Sequence, residues 1–437
     1  MLRKMPLHTR IFIGMAIGII AGIIIKQSGF SEPDIKTILN FVRPVGDIFL
    51  RFIFMMIIPL ILTAIILGVS ELGNVSKLGR IGFKTFKYSI VMTAISVMLG
   101  VGLVSIVKPG NSLTPSQRQF LIEKYSDKVN AIQQSADKAK TRTAGDMITS
   151  IVPKNPLEDM VRAFDSSYSG GGLLAVMFFA LVVGIAMSNS DPDKVATFRS
   201  FLEGLQEIVM RIITFGMKLA PFGIAALMFG ITIELGVDIL KVLMQYVALV
   251  MFGLAFHLFV SYSIVLKFFT DMKPGFFFSN IKEVMVTAFS TSSSNATLPI
   301  AIKATVEKLK IPKEIANFIL TIGSTANQNG TALYEGITIL FLAQCFNVDL
   351  SIGQQFVVVA LSVLAGIGTA GVPGGSLPVI MVILIALNIP GESIALIYGV
   401  DRILDMSRTV LNVTGDITAT VYINHQESKN ADKITGP

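Results

Sequence analysis

The feature that most constrains this chain is a run of 42 uncharged residues, Leu350–Gly391. Four other uncharged runs are Ile11–Ile25, Phe52–Ser70, Tyr88–Val107 and Ser166–Ser190, and the last three exceed the roughly 18 residues that a membrane-spanning helix requires. Only 15% of the 437 residues are charged, which is too few to cover the surface of a soluble protein of this size. The sequence therefore predicts an all-α polytopic membrane protein.

Helical spans are predicted near residues 10–27, 46–70, 82–108, 165–190, 200–232 and 238–267. The first span resembles a signal peptide in length, but no convincing cleavage pattern follows, so we interpret it as a retained helix. Basic residues flank the first and third spans, namely Arg3, Lys4, Arg10, Lys77, Arg80, Lys84 and Lys87. The positive-inside rule then predicts cytoplasmic termini and an external polar connection at residues 109–164, in an inner (plasma) membrane.

The polar residues exclude several classes of function. The net charge is +7, but the basic residues lie in membrane-flanking loops. This placement does not indicate a nucleic-acid partner. The single cysteine, Cys345, excludes an internal disulfide and is expected to fill space in the core. The three histidines are scattered, and neither a metal cluster nor a nucleophile–base pair is visible. We therefore expect neither a cofactor nor an enzymatic activity.

Two apolar stretches in the second half of the chain are interrupted by polar or glycine-rich segments. TSSSN interrupts the first at residues 291–295, and GIGTAGVPGGS interrupts the second at residues 366–376. Similar phrases follow, TLP at 297–299 and SLP at 376–378. Irregular backbone at membrane depth needs protein or a water-filled cavity around it. The pattern predicts two re-entrant hairpins in an inverted repeat around a midplane site, and the alternative is that the glycines ease helix packing.

Charged residues in the middle of the last apolar helix are the strongest indication of a binding site. Asp401, Asp405, Arg408, Asn412 and Asp416 recur at spacings of three and four, which places them on one helix face. Intramembrane charges usually line a pathway. Asp405 suits an ammonium and Arg408 a carboxylate, so the pair suits an acidic amino acid. The alternative is a structural ion pair between the two residues.

The ordered motifs TSSSNATLP, NQNGTALYE, GIGTAGVPGG and DMSRTVLNVTGD closely resemble the glutamate transporter family, the dicarboxylate/amino acid:cation symporters. The resemblance covers roughly residues 10 to 425. It implies a homotrimer of eight-helix protomers with two re-entrant hairpins, in which a scaffold supports an elevator-like transport domain. The implied boundaries are 1–80 (scaffold helices 1 and 2), 81–108 (transport helix 3), 109–164 (external loop), 165–235 (scaffold helices 4 and 5), 236–425 (the rest of the transport domain) and 426–437 (cytoplasmic tail).

The resemblance also assigns roles to individual residues. Asp405 matches the family's ligand for the substrate amine and Arg408 its ligand for the side-chain carboxylate. Further substrate contacts are implied at Ser293, Ser294, Thr331, Val372, Thr409 and Asn412. Relatives for neutral amino acids lack the arginine and relatives for C4-dicarboxylates lack the aspartate. Because both residues are present, the expected substrate is aspartate or glutamate.

The ion-coupling positions depart from the family pattern. The family usually reads NMDGT where this chain reads NQNGT, so Gln328 replaces a methionine and Asn329 replaces an aspartate that holds sodium in relatives. The remaining equivalents implied by the resemblance are Ser89, Met92, Thr93, Gly323, Asn327 and Asp416. A missing carboxylate weakens a hard-cation site, so we predict a transporter that is proton-driven and sodium-independent. A residual sodium position at Asn327, Asn412 and Asp416 stays open.

Two further residues carry open alternatives. Glu335 matches the proton-carrying glutamate of the animal transporters; the alternative is an acid that reaches the membrane interface. Relatives carry an arginine at positions matched by Ser292 or Met406, neither of which is basic. Arg402 either substitutes for it, pairs with Asp401, or reaches the interface.

A proton-coupled symporter has two alternatives at the level of function. One is a sodium-coupled symporter, and the other is an anion channel with a vestigial substrate site. A channel cannot concentrate its solute, and this property separates it from both symporters.

Overall fold

The protein's structure is a computed structural model that describes residues 5, 7–71, 79–124, 152–162, 172–236, 238–368, 376–387 and 389–434. Within these residues the chain is helical and contains no strand, which confirms the predicted all-α class. The first eight helices are α1 (Leu7–Gln27), α2 (Glu32–Phe54), α3 (Ile57–Glu71), α4 (Gly79–Val107), α5 (Pro115–Lys124), α6 (Pro156–Val161), α7 (Gly172–Ser188) and α8 (Pro192–Leu235). The remaining helices are α9 (Asp238–Phe256), α10 (Tyr262–Phe269), α11 (Pro274–Asn280), α12 (Lys282–Thr291), α13 (Ser294–Glu307), α14 (Lys313–Ala326), α15 (Asn329–Cys345), α16 (Ile352–Gly368), α17 (Leu377–Ala386) and α18 (Ala395–Ile434).

Three helical stretches of the described chain are long and apolar enough to cross a bilayer. They are Thr9–Gln27, Ile81–Ser112 and Ile239–Phe269. A fourth candidate is the pair Pro192–Gly216 and Lys218–Glu234, which is bent by 50°. These stretches coincide with four of the six predicted spans.

The observed helices differ from the predicted spans in three places. The span predicted at 46–70 is divided, because the helix is interrupted at Met55 and Met56 and its first half begins in a polar stretch at Glu32. The connection at 109–164 contains α5 and α6, so part of it is helical. The last helix continues to Ile434, so residues 426–434 of the predicted tail prolong α18. Charged and polar residues can extend a helix beyond the apolar part that hydropathy detects.

The helices form two packing groups. In the first group, α1 and α2 pack along α8, and α3 packs against α7 and α8. In the second group, α4 packs along α15, while α12, α14 and α15 pack against α18. Helices α16 and α18 also contact the first group, through α3 and α8 respectively. The polar face of α18 therefore lies in the interior of the second group.

Close contact between α1 and α8 depends on three glycines. Gly14, Gly18 and Gly22 recur every four residues along α1. A β-carbon at Gly18 would lie 2.2 Å from the carbonyl oxygen of Ala225, and one at Gly14 equally close to that of Pro221. Small residues at this spacing let two membrane helices approach backbone to backbone.

We expect Gly18→Val to destabilise the protein by about 1–3 kcal/mol, because the added side chain must force α1 away from α8. Thermal unfolding can be followed with a thiol-reactive fluorophore, since the only cysteine of the chain, Cys345, is buried. Gly102→Val is the matched control, because a β-carbon at Gly102 meets no atom within 4 Å. Equal melting temperatures for the two variants would contradict a role of Gly18 in this contact.

Candidate functional site

The polar residues of α18 are all buried. Asp401, Asp405, Arg408, Asn412 and Asp416 are each at most 5% exposed. Because they share one helix face, they form a polar strip inside the second packing group, as their spacing predicted. The strip has a charged end at residues 401–408 and an amide-rich end at residues 412–416.

At the charged end, Arg408 and Arg402 both bind Asp405. The Nε and Nη2 atoms of Arg408 donate to Asp405 Oδ1 at 3.0 and 2.6 Å. The Nη1 atom of Arg402 donates to Asp405 Oδ2 at 3.0 Å. Arg408 Nη1 also donates to the hydroxyl of Ser376, at the start of α17. The ion pair between Asp405 and Arg408 that the sequence left open is therefore present, and Arg402 pairs with Asp405 rather than with Asp401.

A second carboxylate balances the charge of this cluster. Asp401 lies 3.8 Å from Arg408 and accepts a hydrogen bond of 2.7 Å from the hydroxyl of Tyr334. The guanidinium of Arg408 also lies over the ring of Tyr334, 4.8 Å from its centre, in a cation–π contact. With Arg402 and Asp405 the cluster holds two cationic and two anionic side chains, so its formal charge is zero.

The amide-rich end lies against the break between α14 and α15. Helix α14 ends at Ala326, and Asn327 and Gln328 have non-helical backbone angles (φ −125°, ψ 67° and φ −98°, ψ 56°) before α15 begins. The N–H groups of a helix start have no partner within their own helix. Here Asn412 Oδ1 accepts from the backbone N–H groups of Gly330 and Thr331, at 2.7 and 3.3 Å. A side chain of α18 thus caps α15.

Gln328 connects the two broken ends. Its Nε2 donates to the carbonyl of Ser324 in the last turn of α14, at 2.9 Å. Its Oε1 accepts from Asn412 Nδ2 at 2.5 Å and from the hydroxyl of Thr331 at 3.4 Å. A methionine at this position could not donate to Ser324, and its thioether sulfur is only a weak acceptor for the other two bonds.

The amide of Asn329 is bound at both ends. Its Oδ1 accepts from the Thr93 hydroxyl at 2.7 Å, and its Nδ2 donates to the Tyr262 hydroxyl at 3.0 Å. Ser96 donates to its backbone carbonyl at 2.6 Å. Of the three α4 residues that the resemblance implies as ion-coupling equivalents, Thr93 contacts the NQN segment, while Ser89 and Met92 are buried on the same helix.

Asn327 and Asp416 form the last polar pair of the strip. Asn327 Nδ2 donates to Asp416 Oδ1 at 2.9 Å, whereas Asn327 Oδ1 is buried without a partner among the described residues. A β-carbon at Gly323 would lie 2.6 Å from Asp416 Oδ1. The absence of a side chain at Gly323 lets the carboxylate of Asp416 approach α14 this closely.

Glu335 is completely buried, one helical turn from Thr331 on α15. Neither of its carboxyl oxygens meets the geometry of a hydrogen bond in the described part of the chain, although the hydroxyl of Ser362 lies beside it. The alternative of an acid that reaches the membrane interface is therefore wrong for this structure. A charged carboxylate without hydrogen bonds is costly to bury.

The remaining predicted substrate contacts lie at the turn between α12 and α13 and on α18 itself. Ser292 has a left-handed backbone (φ 51°) and ends α12, and Ser293 starts α13 by accepting a hydrogen bond of 3.2 Å from the N–H of Ala296. Ser294 is buried beside them. The hydroxyl of Thr409 donates to the carbonyl of Asp405 at 2.8 Å. Val372 lies outside the described residues.

Sequence reasoning missed several residues that complete the site. They are Ser96, Tyr262, Ser324, Tyr334 and Ser376, whose contacts are given above. Ser96 follows Thr93 by three residues and so shares its helix face, which is a signal that spacing could have supplied. Tyr262 and Ser376 come from distant segments, and no local pattern connects them with their partners.

We expect Asp405→Asn to destabilise the protein by about 3–5 kcal/mol, because it leaves the buried cluster with one uncompensated positive charge. The double variant Asp405→Asn, Arg408→Gln restores formal neutrality and should recover part of this loss. Thermal unfolding followed through Cys345 measures both variants, and Ser407→Ala, on the partly exposed face of α18, is the control. A double variant less stable than Asp405→Asn would contradict the charge-balance argument.

Comparison with known proteins is consistent with this geometry. The model of the sodium:dicarboxylate symporter family matches residues 7–426. The chain is 34% identical to the proton/sodium-glutamate symport protein of Bacillus subtilis over 425 residues, which cover 97% of this chain and 93% of that protein. It is 31% identical to the proton/glutamate-aspartate symporter of Escherichia coli (98% and 94% covered) and 30% identical to the rabbit (Oryctolagus cuniculus) excitatory amino acid transporter 3 (97% and 86% covered). The protein belongs to the sodium:dicarboxylate symporter family, and is therefore a membrane transporter and not an enzyme.

Proposed function

We propose that this protein is a secondary active symporter of L-aspartate or L-glutamate that is driven by protons and does not require sodium. The observation that carries the proposal is the polar strip of α18. It places a buried carboxylate and a buried guanidinium beside an amide network where relatives hold a cation. Relatives named as glutamate or glutamate-aspartate symporters cover nearly the whole chain, which supports the substrate class.

The charged cluster fits an acidic amino acid by exchange of partners. In the structure Asp405 and Arg408 neutralise each other. A bound substrate would give its ammonium to Asp405 and its side-chain carboxylate to Arg408, so each buried charge would keep an opposite partner. Ser293, Ser294, Val372, Thr331, Thr409 and Asn412 are the proposed additional contacts. This exchange explains why an ion pair and a substrate site can use the same residues.

The two packing groups support an elevator mechanism. The first group contains the helices proposed as the scaffold (1–80 and 165–235), and the second contains those proposed as the transport domain (81–108 and 236–425). The short turn between α12 and α13 fits the tip of one re-entrant hairpin, and α16 with α17 fits the arms of the other. We further propose eight spanning helices, a homotrimer and cytoplasmic termini, on the basis of the family resemblance and the positive-inside rule.

Sodium independence rests on Asn329 and Gln328. A hard cation needs several oxygen ligands and, in most sites, an anionic one. Asn329 supplies a neutral amide whose oxygen already accepts from Thr93 and whose nitrogen is a donor. Gln328 is engaged by three groups of the same network. The amides would thus hold the broken helix in the arrangement that bound sodium holds in relatives.

A sodium-coupled symporter is the second candidate, and one observation favours it. Asn327 Oδ1 is buried and unpartnered among the described residues, beside the carboxylate of Asp416. Together with Asn412, these residues offer a cation a carboxylate and an unpartnered amide oxygen, whereas both ends of the Asn329 amide are already hydrogen-bonded. The two candidates differ in whether transport proceeds without sodium.

We expect saturable accumulation of labelled aspartate or glutamate in sodium-free proteoliposomes with an inward proton gradient. Asp405→Asn should abolish this uptake, because the substrate ammonium would lose its carboxylate partner. Accumulation above the external concentration also excludes a channel. Absence of uptake under these conditions, with robust uptake on adding a sodium gradient alone, would refute sodium independence.

The variant Asn329→Asp provides a matched test of the same proposal. It restores a carboxylate and removes the donor to Tyr262, so sodium should stabilise this variant against thermal unfolding more than potassium does at equal ionic strength. The parent protein should show no difference between the two ions. A sodium-specific stabilisation of the parent would favour the second candidate.

Glu335 is proposed as the proton carrier, because it is buried, meets the geometry of no hydrogen bond among the described residues, and is adjacent in sequence to Tyr334 of the charged cluster. Glu335→Gln keeps the size of the side chain but cannot release a proton. We expect proton-driven accumulation to be lost in this variant, and substrate exchange across the membrane to lose its dependence on pH. A pH profile identical to that of the parent would exclude the role.

A further inference from the structure

A groove lies between α4, α10 and the end of α18, where its lining residue Tyr422 follows Asp416 of the polar strip by six residues. Its volume is about 660 Å³, which is within the range of ligand-binding cavities. Most of its lining is apolar and includes Phe83, Val91 and Ile95 of α4 and Ile264 of α10. These four side chains are between 40% and 69% exposed, so the groove is open at the side of the molecule.

The position of the groove relative to the bilayer follows from the sequence of α4. Lys87 directly precedes 20 uncharged residues, Tyr88–Val107, which as a helix are about as long as the hydrocarbon core is thick. Lys87 therefore lies at the boundary between hydrocarbon and water. Ile95 lies about 12 Å further along the helix, within the depth occupied by acyl chains.

The mouth of the groove carries one uncompensated positive charge. Lys84 and Lys87 both line it. Lys84 is paired with Glu427 at 2.5 Å. Lys87 is exposed, and among the described residues no carboxylate forms an ion pair with it. Tyr422 and Gln426 of α18 add polar atoms at the same end, where they bond to each other at 2.6 Å.

We propose that this groove binds an anionic phospholipid, with the phosphate at Lys87 and one acyl chain along Val91 and Ile95. Basic pockets between membrane helices bind anionic headgroups in this way. The apolar walls match an acyl chain, which a free phosphate ion would not use. The inference does not depend on the proposed substrate or coupling ion. It assigns a lipid site that joins α4 to α10 and α18 at the membrane surface.

The test uses the full-length protein in detergent, titrated with phosphatidylglycerol or with phosphatidylcholine of the same chain length and observed by native mass spectrometry. We expect the parent to prefer phosphatidylglycerol. Lys87→Gln should weaken binding of this lipid about fivefold, because about one lysine–headgroup interaction is lost. Glu427→Gln should strengthen it, because Lys84 becomes free. If Lys87 and Glu427 had a purely structural role, Lys87→Gln and Glu427→Gln would not have opposite effects on lipid binding.

Two further variants test the acyl-chain contact and the specificity of the lysine. Val91→Trp fills the groove without changing its charge and should also weaken binding. Lys267→Gln removes an exposed lysine of α10 that does not line the groove and should leave binding unchanged. Thermal unfolding through Cys345 verifies that each variant is folded. Equal binding of the two lipids would overturn the proposal, and so would lipid binding that neither Lys87→Gln nor Val91→Trp alters. Binding of glycerol phosphate that Val91→Trp does not alter would assign the site to a soluble phosphate instead.

Discussion

The structure depends on how one helix break is satisfied in the absence of water. Where α14 ends and α15 begins, backbone groups at membrane depth lose their helical partners, and each unsatisfied group would cost several kcal/mol. Asn412 of α18 accepts from two backbone N–H groups of α15, and Gln328 donates to a carbonyl of α14. The break is therefore stable only while α18 is packed against it. Asn412 of the polar strip thus contacts the broken helix directly.

The charged end of the strip obeys a related constraint. Two guanidiniums and two carboxylates are buried within a few residues of one another, and their stability requires that the charges balance. The balance is met inside the protein, because Asp405 binds both Arg402 and Arg408. A ligand that carries both charges can replace the internal pairing without leaving a buried charge alone. A neutral or singly charged ligand cannot replace the internal pairing without leaving a buried charge alone. The charge balance that stabilises the fold is therefore also the basis of the substrate selectivity that we propose.

The amide network connects these two ends. Thr331 bonds to both Gln328 and Asn412, and it lies on the same helix as Tyr334, which contacts Asp401 and Arg408. In our proposal, the substrate and ion positions therefore share side chains rather than occupying separate pockets. Replacing a cation-binding carboxylate by the Asn329 amide substitutes directional hydrogen bonds for ion coordination. In our proposal the broken helix then keeps its geometry, and the dependence on sodium is removed.

The sequence by itself determined the class of the protein and the polar face of α18. Uncharged runs of spanning length and spacings of three and four are local signals, because hydrocarbon penalises each exposed polar group individually. The tertiary structure decided which partners meet. Only packing shows that Arg402 binds Asp405, that Glu335 is buried without a hydrogen bond of normal geometry among the described residues, and that Tyr262 and Ser376 complete the site. These contacts join segments far apart in the chain, and their geometry depends on how whole helices cross, which no spacing within a single segment encodes.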